Sequence, residues 1–231
     1  MSKEITILNV LCEGQTEERF AKEVLKPYFK DKEIIIKHRL LLTSKKKNAR
    51  GGMLNYCQAK NDLITWMKQN DKKNSEKHFY TTMFDLYALP DDFPDWKEAI
   101  GKADKYLQVQ TIEEAFSKDI NHSNFIPYIQ LHEFEALVFC GLDKLLNDYP
   151  GCQKEIEDLK KVLEKYDNDL EAINNSPQTA PSKRIIQALK GKYNYNKPQS
   201  GTTITKATGI DNLRTQCRHF NEWLIKIENL I

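Results

Sequence analysis

The sequence predicts an α/β protein in which a mainly parallel sheet is flanked by helices and followed by a helical C-terminal portion. Short apolar runs rich in β-branched residues alternate with longer amphipathic stretches. The order strand, helix, strand, helix, strand favours parallel strands joined by right-handed crossovers. Acidic residues directly follow the predicted strands, where a parallel sheet gathers its carboxyl ends. We therefore expect a ligand site at that edge of the sheet.

The first predicted strand covers residues 5–11, which are uncharged and rich in β-branched side chains. Glu13 follows in a Glu-Gly turn, so it lies at the carboxyl end of this strand. Thr16 is the expected N-cap of the next helix, and Glu17 lies in its first turn, where the helix dipole favours anions. Glu13 and Glu17 are suited to share a hard cation such as Mg²⁺. The alternative is that Glu17 is only a favourable first-turn residue.

The second predicted strand covers residues 34–42, and an amphipathic helix is expected over residues 53–69. A third strand over residues 78–84 stops at Asp85. A carboxylate at the end of a buried strand is costly unless it is paired, hydrogen-bonded or bound to a metal. Because parallel strands align their carboxyl ends, we expect Asp85 to lie near Glu13.

A helix is predicted over residues 96–116 and a further strand over residues 125–130, leading into His132, Glu133 and Glu135. On a continuous helix His132 and Glu135 would share one face. The two glutamates are candidate metal ligands, and His132 is a candidate substrate-binding residue. A buried His132 that only bonds a backbone carbonyl is the alternative. A zinc motif of the H-E-x-x-H type is absent.

The C-terminal part contains predicted amphipathic helices over residues 154–173 and 210–230. The polar segment of residues 191–208 between them is a candidate loop that contacts the substrate. The alternative is that Tyr193 and Tyr195 only pack locally. We expect residues 1–140 to form the α/β core and residues 141–231 to form a helical portion packed on it as one compact unit.

A helix that follows Pro181 carries Lys183 and Arg184 in its first turn, with Ser182 as the expected N-cap. A helix N-terminus with two cations is suited to bind an anion, so both are candidate substrate-binding residues. The alternative is that the basic pair is only solvated on an amphipathic helix.

Composition limits the class of protein. The chain has 231 residues, 40% hydrophobic and 29% charged, with no apolar run near the ~20 residues that span a bilayer and no signal-peptide pattern. We expect a cytoplasmic protein without a membrane partner. The five cysteines are scattered and form no C-x-x-C pair, so neither a disulfide framework nor a zinc site is predicted.

Local charge is more informative than the net charge of +2. One group of basic residues surrounds a polar, tyrosine-containing segment and could track a phosphate backbone: Lys183, Arg184, Lys190, Lys192, Lys197 and Lys206. Lys46 and Arg50 lie in another basic, glycine-containing segment, residues 45–52, that could do the same. The alternative is a solvated loop, since lysine-rich loops are common on protein surfaces.

Five ordered motifs, which together extend over nearly the whole chain, resemble the DUF4276 family. The resemblance implies a TOPRIM-like fold, the fold of topoisomerase-primase and OLD-type nuclease catalytic domains. It also implies association with a neighbouring ATPase in bacterial anti-phage defence. The motifs are Glu13-Gly14-Gln15-Thr16-Glu17, Asp85-Leu86-Tyr87-Ala88-Leu89-Pro90, Leu131-His132-Glu133-Phe134-Glu135-Ala136-Leu137, Thr179-Ala180-Pro181-Ser182-Lys183-Arg184 and Cys217-Arg218-His219-Phe220-Asn221-Glu222-Trp223-Leu224.

By this resemblance Glu13 matches the TOPRIM glutamate and Asp85 the first aspartate of its Asp-x-Asp pair. Tyr87 stands at the second position. Glu17 or the glutamates after the fourth strand would then have to supply the missing ligands, and Lys183 would face the phosphate as a catalytic cation.

The implied activity is phosphodiester hydrolysis of DNA, tRNA or another RNA with Mg²⁺, or Mn²⁺ in its place. A partner ATPase would control the nuclease. The alternative is a non-catalytic TOPRIM-like module that binds an ATPase or a phage product. Assembly into a homo-oligomer stays open.

Overall fold

The computed structural model describes residues 5–42, 53–70, 76–173 and 178–231. Its sheet has five strands that all pair in parallel, in the order β2-β1-β3-β4, with β5 pairing the far end of β3. The strands are β1 (Ile5–Cys12), β2 (Ile34–Leu40), β3 (Glu76–Asp85), β4 (Phe125–Ile126) and β5 (Ile129–Gln130). The predicted α/β class with a parallel sheet is confirmed.

The strand register brings the ends of β1 and β3 together. Cys12, the last residue of β1, pairs with Leu40 on one side and Met83 on the other. The Glu13 N–H donates to the Met83 carbonyl oxygen at 3.1 Å. Asp85 ends β3 two residues further on and pairs with Gln130 of β5. The turn after β1 therefore lies beside the end of β3, as the sequence predicts.

The strand predicted over residues 125–130 is two short strands, because Pro127 has no N–H to donate to a ladder. Thr82 of β3 replaces the lost backbone bonds. Its Oγ1 donates to the Tyr128 carbonyl at 2.9 Å and accepts from the Tyr128 N–H at 3.0 Å. After this interruption, β5 pairs with the last residues of β3, Phe84 and Asp85.

Helices cover both faces of the sheet and form most of the C-terminal part. Single 3₁₀ turns occur at Leu86–Ala88, Leu142–Lys144 and Leu170–Ala172, and a π-helical turn, Ala21–Leu25, joins the first two helices. The α-helices are α1 (Gln15–Phe20), α2 (Lys26–Lys30), α3 (Tyr56–Asn70), α4 (Trp96–Ile100), α5 (Lys105–Ile120), α6 (Glu135–Phe139), α7 (Leu145–Asp148), α8 (Gln153–Glu164), α9 (Pro181–Leu189), α10 (Lys197–Thr208), α11 (Ile210–Gln216) and α12 (Arg218–Glu228).

Two predicted helices are each divided. The helix expected over residues 96–116 is α4 and α5: α4 stops at Gly101, and Asp104 caps α5 by accepting from the N–H of Tyr106 at 2.8 Å. The helix expected over residues 210–230 breaks at Cys217, which has an extended backbone. The carboxylate of Glu171 caps the new helix start.

The helix predicted over residues 154–173 ends at Glu164, the last residue of α8. Asp167 and Asn168 follow with positive φ angles of 52° and 61°, which a right-handed helix does not contain. The chain thereby turns and delivers Glu171, which is fully buried, to the start of α12.

The prediction of a loop over residues 191–208 is wrong for residues 197–208, which form α10. Threonine and glycine have low helix propensity, so the sequence of this segment does not predict a helix. The threonine hydroxyls are satisfied within it: Thr202, Thr205 and Thr208 each donate to the carbonyl four residues earlier, at 2.8 to 2.9 Å.

The hydrophobic core consists of two clusters, and alternate residues of β1 belong to different ones. Leu8 and Val10 belong to a cluster that contains residues of α1 and of the C-terminal helices, among them Trp223. Leu11 belongs to the second cluster, with residues of α3 and α5. Trp223 also donates from Nε1 to Thr81 Oγ1 of β3 at 2.9 Å. In the described ranges no helix is long and apolar enough to cross a membrane.

Candidate acidic site at the carboxyl edge of the sheet

The structure brings the five predicted acidic residues into one cluster at the carboxyl edge of the sheet. They lie in the turn after β1, in α1, at the end of β3 and around the start of α6. We call them the acidic cluster: Glu13, Glu17, Asp85, Glu133 and Glu135. The charges of the other four all act to raise the pKa of Asp85, in addition to burial, which is the largest cause.

Glu17 is held by the turn after β1. Its Oε2 accepts the N–H of Gly14 at 2.8 Å, so Gly14 is the N-cap of α1 and the predicted cap, Thr16, lies inside the helix. A Cβ atom at position 14 would lie 3.0 Å from Glu17 Oε2. Glycine therefore lets the carboxylate approach the backbone and directs Glu17 back toward Glu13.

Asp85 connects three parts of the acidic cluster. Its backbone N–H donates to Glu13 Oε2 at 3.0 Å, and its own Oδ1 accepts the N–H of Phe134 at 3.0 Å. The residue keeps part of its surface accessible at the rim of the sheet. The predicted proximity of Glu13 and Asp85 is confirmed.

The prediction that His132 and Glu135 share one helix face is wrong. The helix α6 begins only at Glu135, so His132 lies before it. His132 has a positive φ of 61°, and its carbonyl accepts the N–H of Tyr87 at 2.9 Å. Both of its ring nitrogens are buried without a hydrogen-bond partner among the described residues. Burial and the charge of Lys105 lower the pKa of His132 to about 4, so the ring is neutral at physiological pH.

Glu133 occupies the start of α9. Its Oε2 accepts the N–H of Ser182 at 2.9 Å, and its Oε1 accepts the Ser182 hydroxyl at 3.1 Å. Ala180 is the N-cap, and Ser182 is the second residue of the helix instead of its cap. The helix N-terminus that was predicted to bind a phosphate therefore binds a carboxylate of the acidic cluster.

Among the described residues, Lys197, the first residue of α10, is a cation that contacts the acidic cluster. Its Nζ lies 3.5 Å from Glu135 Oε2 and 3.7 Å from Glu133 Oε1. Burial alone would lower the pKa of Lys197, but these carboxylates raise it. The sequence predicts Lys197 only as one of a group of basic residues, around a tyrosine-containing segment, that could track a phosphate backbone. It does not predict that Lys197 lies beside the acidic residues, because the segment that forms α10 is predicted to be a loop.

Lys183 and Arg184, which were predicted to contact the substrate, lie on α9 and contact other groups than the acidic cluster. Lys183 is exposed and lines a groove of about 340 Å³ between α8 and α9 together with Glu155 and Asp158. Arg184 donates from Nε to the Thr179 carbonyl at 2.7 Å and also contacts a tyrosine hydroxyl at 3.2 Å. Neither basic side chain forms one of the contacts that hold the acidic cluster.

Burial and mutual repulsion make the acidic cluster difficult to ionise fully. They raise the pKa of Glu17 to about 8, and burial raises that of Glu135 to about 7. Burial also raises the pKa of Glu13. One oxygen of Glu135, Oε1, is buried without a hydrogen-bond partner in the described part of the chain. At neutral pH the cluster therefore either retains protons or requires positive charge besides Lys197.

Tyr195 is a second residue that the sequence analysis did not single out as functional. Its hydroxyl is buried and has no hydrogen-bond partner in the part of the chain that is described. Burial and the charge of Glu135 raise its pKa. Tyr195 and Lys197 therefore bring polar groups from one short segment close to Glu135.

The donor set of the acidic cluster suits a hard cation, because all five side chains offer carboxylate oxygens. The unpaired Oε1 of Glu135 is available to a ligand. As the side chains stand, no three His, Cys, Asp or Glu groups among the described residues lie close enough together to hold a metal ion. Several oxygens accept backbone N–H groups instead, so cation binding requires side-chain rotations.

Two predicted substrate contacts, Lys46 and Arg50, lie outside the described residues. Tyr87, which stands at the second position of the Asp-x-Asp pattern, is exposed. The side chains that gather at the edge therefore come from the turn after β1, the end of β3 and the segments that begin α6 and α10.

The fold and this edge define an α/β protein with an acidic site at the end of a parallel sheet. A family model, DUF4276, described as a domain of unknown function, matches residues 12–228, and the chain belongs to this family. The matched span contains the whole acidic cluster and Lys197. Comparison with curated proteins and with solved structures gives no match.

Proposed function

We propose that the chain is a Mg²⁺-dependent nuclease that hydrolyses phosphodiester bonds, with Mn²⁺ able to replace Mg²⁺. The observation that carries the proposal is the acidic cluster itself. Five carboxyl groups lie together with Lys197 at the edge where parallel sheets bind their ligands. Buried carboxyl groups with strongly perturbed pKa values are more frequent at functional sites than elsewhere.

Glu13, Glu17 and Asp85 are our candidates to hold the cation, because they are fixed to one another through the backbone at Gly14 and Asp85. When bound, a divalent cation supplies positive charge for the phosphate and favours ionisation of an attacking water. Rotation of the three side chains away from their present N–H partners would expose their oxygens to it.

Lys197 is better placed than Lys183 to contact the substrate phosphate. Its Nζ lies beside Glu135 and Glu133, whereas Lys183 faces the groove beside α8. In the proposed mechanism the ammonium group donates to a nonbridging phosphate oxygen, whose negative charge grows as the water attacks.

Glu135 is our candidate for the proton acceptor. Its pKa of about 7 matches the range in which a general base works best at neutral pH. Its Oε1 has no hydrogen-bond partner among the described residues, so it can accept a proton from the attacking water.

The biological setting follows from the family resemblance and is part of the proposal. We expect the nuclease to act on DNA, tRNA or another RNA in a cytoplasmic anti-phage defence system, under the control of a neighbouring ATPase. The cation site and its carboxylates are independent of which of these nucleic acids is the substrate.

A cleavage assay tests the activity. The purified chain, alone and with any ATPase encoded beside it, is incubated with supercoiled plasmid and with total tRNA in Mg²⁺ or Mn²⁺. We expect cleavage that Glu13→Gln and Asp85→Asn reduce by at least ~100-fold, since each removes a charged ligand while keeping an oxygen acceptor for its backbone N–H. Glu98→Gln, at an exposed glutamate on α4, is the matched control.

The substrate that is cut identifies the nucleic acid class. Cleavage that persists undiminished in both Glu13→Gln and Asp85→Asn would contradict the assignment of the site. Absence of cleavage by the wild type with its partner present would favour the second candidate function.

The second candidate is a non-catalytic module that binds an ATPase or a phage product. The observation in its favour is that the acidic cluster already has internal partners. Asp85 accepts the Phe134 N–H, and Glu133 accepts both donors of Ser182. With Tyr87 in place of a second aspartate, these contacts could serve the structure alone. Divalent cation binding distinguishes the two candidates.

A further inference from the structure

Two cysteines that are 77 positions apart in the sequence meet in the structure. The Sγ atoms of Cys140 and Cys217 lie 3.4 Å apart and form a hydrogen bond. Cys140 directly follows α6, and Cys217 is the residue at which the chain breaks between α11 and α12. All five cysteines are free thiols, and neither residue belongs to the acidic cluster.

We propose that Cys140 and Cys217 form a reversible intramolecular disulfide when the protein meets hydrogen peroxide. A disulfide needs the two sulfurs to close to about 2.05 Å. The sulfurs must therefore approach by a little over an ångström from their present contact. Cys140 lies at the end of a five-residue helix and Cys217 at a helix break, where the chain is not held by continuous helical hydrogen bonds on both sides.

Cys140 is the thiol that reacts first, because it is the more accessible of the two. The hydrogen bond with Cys140 and burial raise the pKa of Cys217, so Cys217 keeps its proton and can donate it to the Cys140 sulfur. The thiolate form of Cys140 is the nucleophile in the reaction with peroxide.

The reaction takes two balanced steps. The Cys140 thiolate attacks one peroxide oxygen, the O–O bond breaks, and the departing hydroxide takes up the proton that Cys140 released on forming the thiolate, which gives water and leaves a sulfenic acid on Cys140. The Cys217 sulfur then attacks the sulfenic sulfur. The S–S bond forms as the S–O bond breaks, and the hydroxyl leaves with the Cys217 proton as a second water. The two thiols lose two electrons, and the peroxide gains them.

The disulfide would tie α6 to the start of α12. Because α6 begins with Glu135, oxidation would restrain the helix that carries part of the acidic cluster. A link across a long stretch of chain also restricts the unfolded state. The proposal concerns thiol chemistry and is independent of the proposed nuclease function.

The test uses the reduced full-length chain treated with hydrogen peroxide, then alkylated, digested without reductant and analysed by mass spectrometry. We expect a peptide pair linked through Cys140 and Cys217, a loss of two mass units from the intact chain, and reversal by dithiothreitol. The linked pair should also form in Cys57→Ser, which removes the exposed thiol and serves as the matched control.

Cys140→Ser should abolish the linked pair and leave Cys217 alkylated. It should also abolish the rise in melting temperature that oxidation produces in the wild type. Because Cys140 is only partly buried, this variant is expected to fold, and its circular dichroism spectrum checks this. Formation of sulfinic acid or an intermolecular disulfide at Cys140, with no link to Cys217 in folded protein, would overturn the proposal.

Discussion

Glu17 and Glu135 are buried carboxyl groups whose pKa values are raised to about 8 and about 7, chiefly by burial. In the unfolded chain a glutamate has a pKa of about 4.3. Between these values the folded state therefore binds more protons than the unfolded state. The stability that these groups contribute is fully present below about pH 4 and is lost as the pH rises through 7 and 8.

Glu17→Gln should weaken this pH dependence. Glutamine keeps an oxygen that can accept the Gly14 N–H but cannot ionise. We expect the variant to match the wild type near pH 5 and to exceed its free energy of unfolding by about 2–4 kcal/mol at pH 9. Urea unfolding at the two pH values without divalent cations measures the difference. If the free energy of unfolding changes with pH equally in the variant and the wild type, the pKa of Glu17 is not raised by folding.

Lys197→Met should destabilise the protein mainly at high pH. It removes the cation that lies between Glu133 and Glu135, and its side chain is 38% exposed, so solvent already screens part of the interaction. We expect a loss of about 1–2 kcal/mol at pH 8. The loss should be smaller at pH 5, where Glu135 is protonated. Unfolding by urea at both pH values provides the measurement.

Lys183→Met is the matched control for this change. Lys183 is exposed on α9, and its substitution should alter the free energy of unfolding by less than about 0.5 kcal/mol at either pH. A pH-independent effect of Lys197→Met equal to that of the control would exclude a charge interaction with the acidic cluster.

The individual residues of the acidic cluster were predictable to the extent that they follow strands. Glu13 and Asp85 come directly after or at the end of their strands, and the parallel register then sets them beside each other. Lys197 has no such local marker. Its position depends on how α10 packs on α1, and Glu135 reaches it from yet another segment. No local sequence pattern predicts that Lys197 and Glu135, which are distant in the sequence, form an ion pair.

At the scale of elements, α10 lies close to α6 and brings Lys197 to the site. A Cβ atom at Gly141, two residues after α6, would lie 2.0 Å from Thr208 Oγ1 and 3.2 Å from Ile204 Cγ2. The glycine therefore permits the close approach of α10 to the end of α6.

Gly141→Ala should destabilise the protein by about 1–3 kcal/mol, because α10 must move away or Thr208 must change its rotamer. Gly101→Ala is the matched control, since its φ is −73° and its Cβ would meet only ordinary contacts at 3.5 Å. It should change the free energy of unfolding by less than about 0.5 kcal/mol. Thermal and urea unfolding of the two variants test the close packing, and equal effects would contradict it.

Helix identity was harder to predict than strand identity. The strands β1, β2 and β3 have strong apolar, β-branched signals, whereas α10 has threonines that satisfy their hydroxyls inside the helix. The break at Cys217 depends on Glu171, a buried carboxylate from 46 positions earlier in the sequence, which accepts two N–H groups of α12. Periodicity within one segment carries no information about such a distant cap.

At the scale of the whole molecule, the acidic edge is built from both the sheet and the C-terminal helices. β1 and β3 position Glu13 and Asp85, and α9 and α10 supply Ser182 and Lys197. The helical portion therefore contributes directly to the site. One hydrophobic cluster includes residues from β1 and from α12, so the two portions also share a core.

The proposed function requires the acidic cluster to bind a divalent cation, and isothermal titration calorimetry with Mn²⁺ and Mg²⁺ at pH 8 measures this binding. This measurement does not require the partner or the substrate. We expect saturable binding to the wild type and to Glu98→Gln. Binding should be lost in Glu13→Gln and in Asp85→Asn, while both variants keep their circular dichroism spectra. Absence of binding to the wild type, or equal binding to all four proteins, would contradict it.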